Sequence, residues 1–332
     1  MPATFQDAGR RGYRHLGVPL SGALDLEWLA IANALAGNPP AAVALEAQLI
    51  GPRLRADAPV TIALAGEFSA RIADAGGLWR EAGNWRSHLL AAGETLDSGS
   101  LRSRVGYLAI HGGFDLPVVL GSRSTYVRAG FGGIDGRALA AGDRLNVSQT
   151  GVQGMPLPLR LPRPPGPCNN ALRVVAGPQR EYFSDAAWGR FVGEEFSVGR
   201  AVDRMGLRLE GPCLDHDAML GADIVSDGVT PGAIQVPGDG HPIVLLADCQ
   251  TVGGYPKIAT VIGADLPCLG HFMPGQTLRF VEVNVEQAIA ARRQANAALA
   301  ERLAGILPGE GGFNLDALYT ANLIDGVIDA HR

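Results

Sequence analysis

Ile243-Val244-Leu245-Leu246-Ala247-Asp248-Cys249-Gln250-Thr251-Val252-Gly253-Gly254-Tyr255-Pro256-Lys257-Ile258-Ala259-Thr260 decides the architecture. The apolar run is too short for a helix and ends in polar residues. A glycine pair and a proline then turn the chain into a second short run, so the segment reads as two strands and a turn. The first strand delivers Asp248, Gln250 and Thr251 to its exit. Gly253-Gly254 lets the backbone pass close to a ligand before Tyr255 and Lys257. Similar short, turn-bounded runs occur at 60–65, 108–110, 172–176, 233–236, 259–262 and 278–283. Only 18% of residues are charged while glycine (45) and proline (22) are abundant, which favours strands and tight turns over helices. A mainly β protein is expected.

Lys257 is the only lysine; arginine makes up the rest of the 28 basic residues. A lysine kept where arginine serves everywhere else marks a place for a compact ammonium that approaches a carbonyl, carboxylate or phosphate end-on, which the broad guanidinium fork does not do.

The 332 residues suffice for two domains. The proline-rich run Met155-Pro156-Leu157-Pro158-Leu159-Arg160-Leu161-Pro162-Arg163-Pro164-Pro165-Gly166-Pro167 reads as an extended linker. The expected division is 1–154, a linker at 155–168, a second domain at 169–284 and a helical tail at 285–332. Basic and acidic residues number 14 and 13 before residue 155 but 14 and 20 from there on, so acidity gathers in the second part. Without basic runs or interleaved aromatics, a nucleic-acid partner is not expected. Met1-Pro2-Ala3-Thr4-Phe5-Gln6-Asp7 has neither a charged n-region nor an apolar h-region, and no run approaches membrane-spanning length; a cytoplasmic location without membrane contact is expected. Cys168, Cys213, Cys249 and Cys268 lack C-x-x-C spacing and the histidines lack paired spacing, so no metal site is expected.

Helical patterns lie at 24–36, 181–192 and 285–303, the first stopped by Gly37-Asn38-Pro39. In that first helix Leu24, Trp28, Ile31 and Leu35 form one stripe, while Leu26, Leu29 and Asn33 fall opposite. A helix apolar on both faces is enclosed. Leu26, Leu29 and Asn33 are therefore expected against the second domain or a partner chain, with Asn33 requiring a hydrogen-bond partner.

No Walker A motif exists, and His111-Gly112-Gly113 lacks a G-x-S-x-G companion. Gly130-Phe131-Gly132-Gly133 lacks dinucleotide-binding spacing. The candidate site gathers instead between 202 and 260. Lys257, Asp227 and Asp248 are the expected catalytic residues; Arg204, Gln250, Thr251, Tyr255 and Ser226 are expected to bind a small polar substrate carrying a carboxylate, amide or phosphate.

Several blocks resemble one family. Gly17-Val18-Pro19-Leu20-Ser21-Gly22-Ala23-Leu24-Asp25, Gly121-Ser122-Arg123-Ser124-Thr125-Tyr126, Asp203-Arg204-Met205-Gly206, Ser226-Asp227-Gly228-Val229-Thr230-Pro231-Gly232-Ala233-Ile234-Gln235-Val236 and Gly253-Gly254-Tyr255-Pro256-Lys257-Ile258-Ala259-Thr260 are similar, in order, to blocks of the KipA-like family, also known as the C-type subunit of ATP-dependent 5-oxoprolinase. The resemblance runs from about Phe5 to Val283 and extends to the carboxyltransferase region of urea amidolyase. It implies two cyclophilin-like β-barrel domains with peripheral helices, the first carboxyltransferase-type. It also implies a KipI-like partner subunit, a small lactam or amide substrate, and ATP with Mg shared with the partner. Under that reading the chain helps activate a lactam for ring opening. Biotin-dependent carboxyl transfer to urea or a related amide is the alternative, with biotin on another chain because no Met-Lys-Met motif is present. A third reading is a non-enzymatic antagonist of a KipI-like kinase inhibitor. The chain departs from the family where relatives commonly read Asp-Arg-Gln-Thr: here Asp248-Cys249-Gln250-Thr251 lacks that arginine.

Overall fold

The computed structural model describes residues 3–148 and 158–309. Strands outnumber helices throughout, and each expected run becomes a strand: Val60–Ala65, Ser100–Ile110, Ala171–Ala176, Ala233–Gln235, Ile243–Leu245, Lys257–Val261 and Thr277–Glu282.

The second half closes on itself. Its barrel runs in spatial order Ala171–Ala176, Lys257–Val261, Ala233–Gln235, Ile243–Leu245, Gly206–Glu210, Glu195–Val202 and Thr277–Glu282. A parallel pairing of Ala171–Ala176 with Thr277–Glu282 shuts the ring and leaves no free edge in it. Phe191, Phe196 and Phe280 fill one end, with Phe191 stacked on Phe280 at 4.5 Å.

In the first half, Thr4–Gln6, Ala44–Ile50, Ser100–Ile110, Val60–Ala65 and Arg86–Leu90 form a sheet. Leu159–Arg160 and Leu307–Pro308 extend it. A four-stranded sheet of Arg53–Arg55, Thr95–Asp97, Arg71–Ala73 and Trp79–Glu81 shares its apolar core. Of the proline-rich segment, 155–157 lie outside the described residues. Leu159 and Leu161 each keep a backbone donor between prolines, and these bond Ser87 Oγ (2.7 Å) and the Trp85 carbonyl (2.8 Å), so this stretch joins the sheet. The sequence reading allowed it few ladder donors; two suffice.

Helix α1 (Leu26–Leu35) starts two residues later than its apolar pattern because Asp25 is extended and caps it, accepting from the N–H groups of Glu27 (2.8 Å) and Trp28 (3.0 Å). Gly37, at φ +73°, turns the chain out of the helix. Helix α2 (Asp185–Gly193) begins after the Ser184 cap, later than expected. The short α3 (Leu266–Leu269) follows the last central barrel strand, and α4 (Val285–Ala304) carries a capping box of Asn284 and Gln287. Residues 310–332 of the expected tail lie outside the described residues.

One apolar core joins the halves: Trp28, Ile31 and Leu35 of α1 belong to the same cluster as Leu172, Phe196 and Phe280. Helix α1 is thus enclosed by this chain itself. Leu29 is 1% exposed and Asn33 0%. The Asn33 side-chain amide donates to the carbonyls of Ala42 (2.7 Å) and Pro40 (3.3 Å). These two residues therefore present no surface to a partner chain, which removes that half of the expectation and leaves packing within this chain; Leu26 alone remains partly exposed. The physical reason is that α1 lies between its own sheet and the second domain, so both faces are covered internally.

Candidate functional site at the domain seam

The structure divides the expected site residues into separate groups. Arg204, at the turn after the Glu195–Val202 strand, reaches across the seam. Its Nε donates to Asp248 Oδ2 (2.8 Å), its Nη1 to Glu46 Oε1 (2.5 Å), and its Nη2 to the Gly22 carbonyl (2.5 Å) and Asp248 Oδ1 (3.2 Å). Glu46 is fully buried and also accepts from the Leu24 N–H (2.8 Å) and the Tyr107 hydroxyl (2.7 Å). Burial by itself lowers the Arg204 pKa, but Asp248 and Glu46 outweigh it and hold the guanidinium charged. Burial likewise pushes Tyr107 well up, keeping its hydroxyl a donor to Glu46. Arg104, also at the seam, is pushed down to about 10 by burial, with Glu46 opposing. Arg204 and Asp248 are thus a clamp between the halves. Arg204 is engaged by Asp248, Glu46 and the Gly22 carbonyl, and Asp248 by Arg204; neither lines the seam cleft that holds Gln250 and Tyr255, so this geometry lends no support to their expected substrate-binding and catalytic roles.

Lys257 opens the strand Lys257–Val261. It is 3% exposed, and its Nζ lies 2.6 Å from Asp227 Oδ2, whose side chain is 53% exposed. Gln179 ties the pair from behind: its Oε1 accepts the Lys257 N–H (3.3 Å) and its Nε2 donates to Asp227 Oδ2 (3.4 Å). The backbone beneath is tight, for a Cβ on Gly177 would lie 2.1 Å from the Lys257 carbonyl oxygen. The Lys257 hydrogen bond, helped by the Gly228 N–H, holds the Asp227 carboxyl below its usual 3.8. A depressed carboxyl strengthens the folded state above its unfolded pKa, and that contribution is lost as pH falls through the folded value. A carboxyl-detected NMR titration is expected to give an Asp227 midpoint below 3.8, moving up to the free value in Lys257→Met. A wild-type midpoint at 3.8 would mean that the pair is open in solution.

Gln250 and Tyr255 line a cleft of about 480 Å³ on the seam. Its wall holds Arg128 from the first domain and Arg200 and Arg208 from the barrel; its floor holds Gln235. Gln250 Nε2 donates to Gln235 Oε1 (3.3 Å), while Gln235 Nε2, on a side chain 2% exposed, has no partner among the described residues. A Cβ on Gly253 would sit 2.4 Å from that Nε2, so a side chain there would displace the Gln235 amide. Gln235 and Lys257 are register neighbours on adjacent strands, which couples the floor to the lysine. Ser226 is exposed beside Gly254, and the Thr251 carbonyl accepts the Val229 N–H (3.1 Å); neither residue lines the cleft.

Sequence reading did not single out Arg128, Arg200, Arg208, Gln235, Glu46 or Gln179. Gln235 carried a signal, standing inside the 226–236 family block, and Arg200 and Arg208 flank the Asp203-Arg204 turn. At Cys249, where an arginine was expected, burial raises the thiol to about 11. A guanidinium is nonetheless nearby: Arg14 Nη2 donates to the carbonyls of Val229 (2.5 Å) and Gln250 (3.2 Å), bringing a first-domain cation to the same place. Among the described residues no group of three His, Cys, Asp or Glu side chains has the arrangement of a metal site, and no helix is long and apolar enough to cross a membrane.

A closed barrel clamped by buried ion pairs to a second β domain, with an arginine-walled cleft on the seam, defines a two-domain β module. The chain belongs to the family described as carboxyltransferase domain, subdomain A and B, whose model matches residues 16–282. It is 35% identical to the C-type 5-oxoprolinase subunit of Escherichia coli over 298 residues, covering 88% of this chain and 92% of that protein. The C-type 5-oxoprolinase subunit of Haemophilus influenzae is also 35% identical, over 296 residues. The crystal structure of Kluyveromyces lactis urea amidolyase matches with a TM-score of 0.82 at 28% identity, covering 91% of this chain but 19% of that one. The family resemblance read from the sequence blocks therefore holds.

Proposed function

We propose that this chain is the C-type subunit of an ATP-dependent 5-oxoprolinase and acts with a KipI-like subunit to activate a lactam for ring opening. The observation that carries the reading is the 35% identity to the Escherichia coli protein across nearly the whole of both chains. The seam cleft is compatible with it, because a lactam presents a carbonyl acceptor beside an N–H donor and the exposed Gln250 amide in that cleft carries one group of each kind. A lactam is a poor electrophile. ATP supplies a phosphoryl group that turns its oxygen into a leaving group, a reaction governed by positioning and by cations around the transferring group. Lys257 is suited to that work, since its ammonium is buried and its one side-chain partner among the described residues, Asp227, faces solvent. Magnesium fits this chain less well. Asp248 is committed to Arg204 and Asp227 to Lys257, so no step is assigned to a metal held here.

Carboxyl transfer from a biotin on another chain is favoured by one observation, the fold match to urea amidolyase. The test is co-purification with the KipI-like neighbour and the remaining subunit, followed by ATP consumption measured with 5-oxoproline and then with urea plus carboxybiotin. ATP hydrolysis dependent on 5-oxoproline is expected. Turnover with urea alone would move the chain to the second reading. A tight complex without turnover of either substrate would leave an antagonist of a KipI-like protein.

A further inference from the structure

We infer that the arginine wall of the seam cleft is a polyphosphate subsite, taking the phosphate chain of a nucleoside triphosphate, with Gln235 Nε2 as the donor at its inner end. The inference rests on the reading of this chain as part of an ATP-using enzyme and adds where the phosphates bind. Arg200 and Arg208 lie on adjacent antiparallel strands, where the register shifts between Val198 and Val202 and brings the two to the same stretch of ladder. Like charges facing each other across strands destabilise a sheet unless an anion lies between them. Neither arginine forms a salt bridge among the described residues: Asp203, which shares the cleft, accepts with Oδ1 from the N–H groups of Met205 (2.7 Å) and Gly206 (3.1 Å) within its own turn. Arg128 adds a third guanidinium from the other domain, and none of the three has an ion-pair partner among the described residues.

The inner end carries the second, independent observation. Gln235 is almost completely buried, lines the cleft, and leaves its Nε2 without an acceptor, although buried donors are nearly always paired. An acceptor from a ligand completes it. Size decides between ligands: about 480 Å³ far exceeds a lactam of roughly nine heavy atoms and suits a nucleotide-sized molecule. Forked donors on three arginines also match the many oxygens of a phosphate chain better than a single carboxylate.

The experiment is calorimetric titration of the full chain with inorganic tripolyphosphate, ATP, AMP and 5-oxoproline. Tripolyphosphate and ATP are expected to bind with similar affinity, AMP much more weakly, and binding is expected to fall as salt rises. Arg200→Gln and Arg208→Gln should each weaken tripolyphosphate by about tenfold or more. Both side chains are exposed, so thermal melts are expected to stay unchanged. Gln235→Leu should weaken ATP in the same assay. Absence of tripolyphosphate binding, or binding unaffected by the arginine variants, would overturn the subsite. Preferential binding of 5-oxoproline to the arginines would reassign the wall to a carboxylate. These binding results stand apart from the turnover assay, so loss of 5-oxoproline-dependent activity with tripolyphosphate binding intact would count against the proposed function and not the subsite.

Discussion

Arg204→Met will destabilise the folded chain by about 3–5 kcal/mol, the cost of leaving buried carboxylates without their cation. Glu46 comes from the first domain and Asp248 from the barrel, and both converge on this one guanidinium. Removing it leaves two negative charges at the seam, with Arg104 near Glu46 and Arg10 near Asp248 but neither in the place of the clamp. The prediction separates a clamp from a substrate-binding residue. Urea denaturation should show the loss with no ligand present, whereas a binding residue would leave the free protein's stability intact. The triple variant Glu46→Gln, Arg204→Met, Asp248→Asn should recover much of the loss, since replacing a whole buried network costs far less than breaking it. A melting curve unchanged by Arg204→Met would return the arginine to the substrate site.

Lys257→Met and Lys257→Arg will each lower ATP-dependent turnover of the assembled enzyme by about 100- to 1000-fold, the range for losing one preorganised charge at a reacting oxygen. Stability should respond little by comparison. Asp227 is about half exposed, so the carboxylate released by Lys257→Met returns to water, and an ion pair with a solvated partner contributes little to stability. Arginine will not rescue, because a planar fork does not fit the position a compact ammonium occupies between Gln179 and Asp227. Kinetics of the reconstituted complex alongside thermal melts check both claims. Full turnover in either variant would remove the lysine from the mechanism.

Strand positions were legible because the barrel's strands are short, apolar and punctuated by glycine and proline, and such punctuation is local. Helix α1 was legible for the same reason, apart from its start, where the Asp25 cap prevailed over an apolar pattern beginning at Leu24. The chemical grouping was legible only in part. Lys257 and Asp227 do meet, and Gln250 and Tyr255 do share a cleft. Arg204 and Asp248 pair with Glu46 at the seam and do not line that cleft, since strand-end residues near in sequence can point to different sides of a barrel wall. Their true partner, Glu46, lies 158 residues from Arg204.

A mainly β chain, the position of most of its strands and helices, and its family were already set by the sequence, which also drew attention to a lone lysine after a Gly-Gly turn. All of these rest on composition, periodicity and local blocks. Tertiary structure alone decided which charge meets which. Arg204 became a seam clamp, α1 was covered by its own chain, and Arg128, Arg200, Arg208 and Gln235 became one cleft. The physical reason is that ion pairing, burial and cleft formation depend on distances across the fold, and residues far apart in sequence are brought together only when the barrel closes and the two domains share a core.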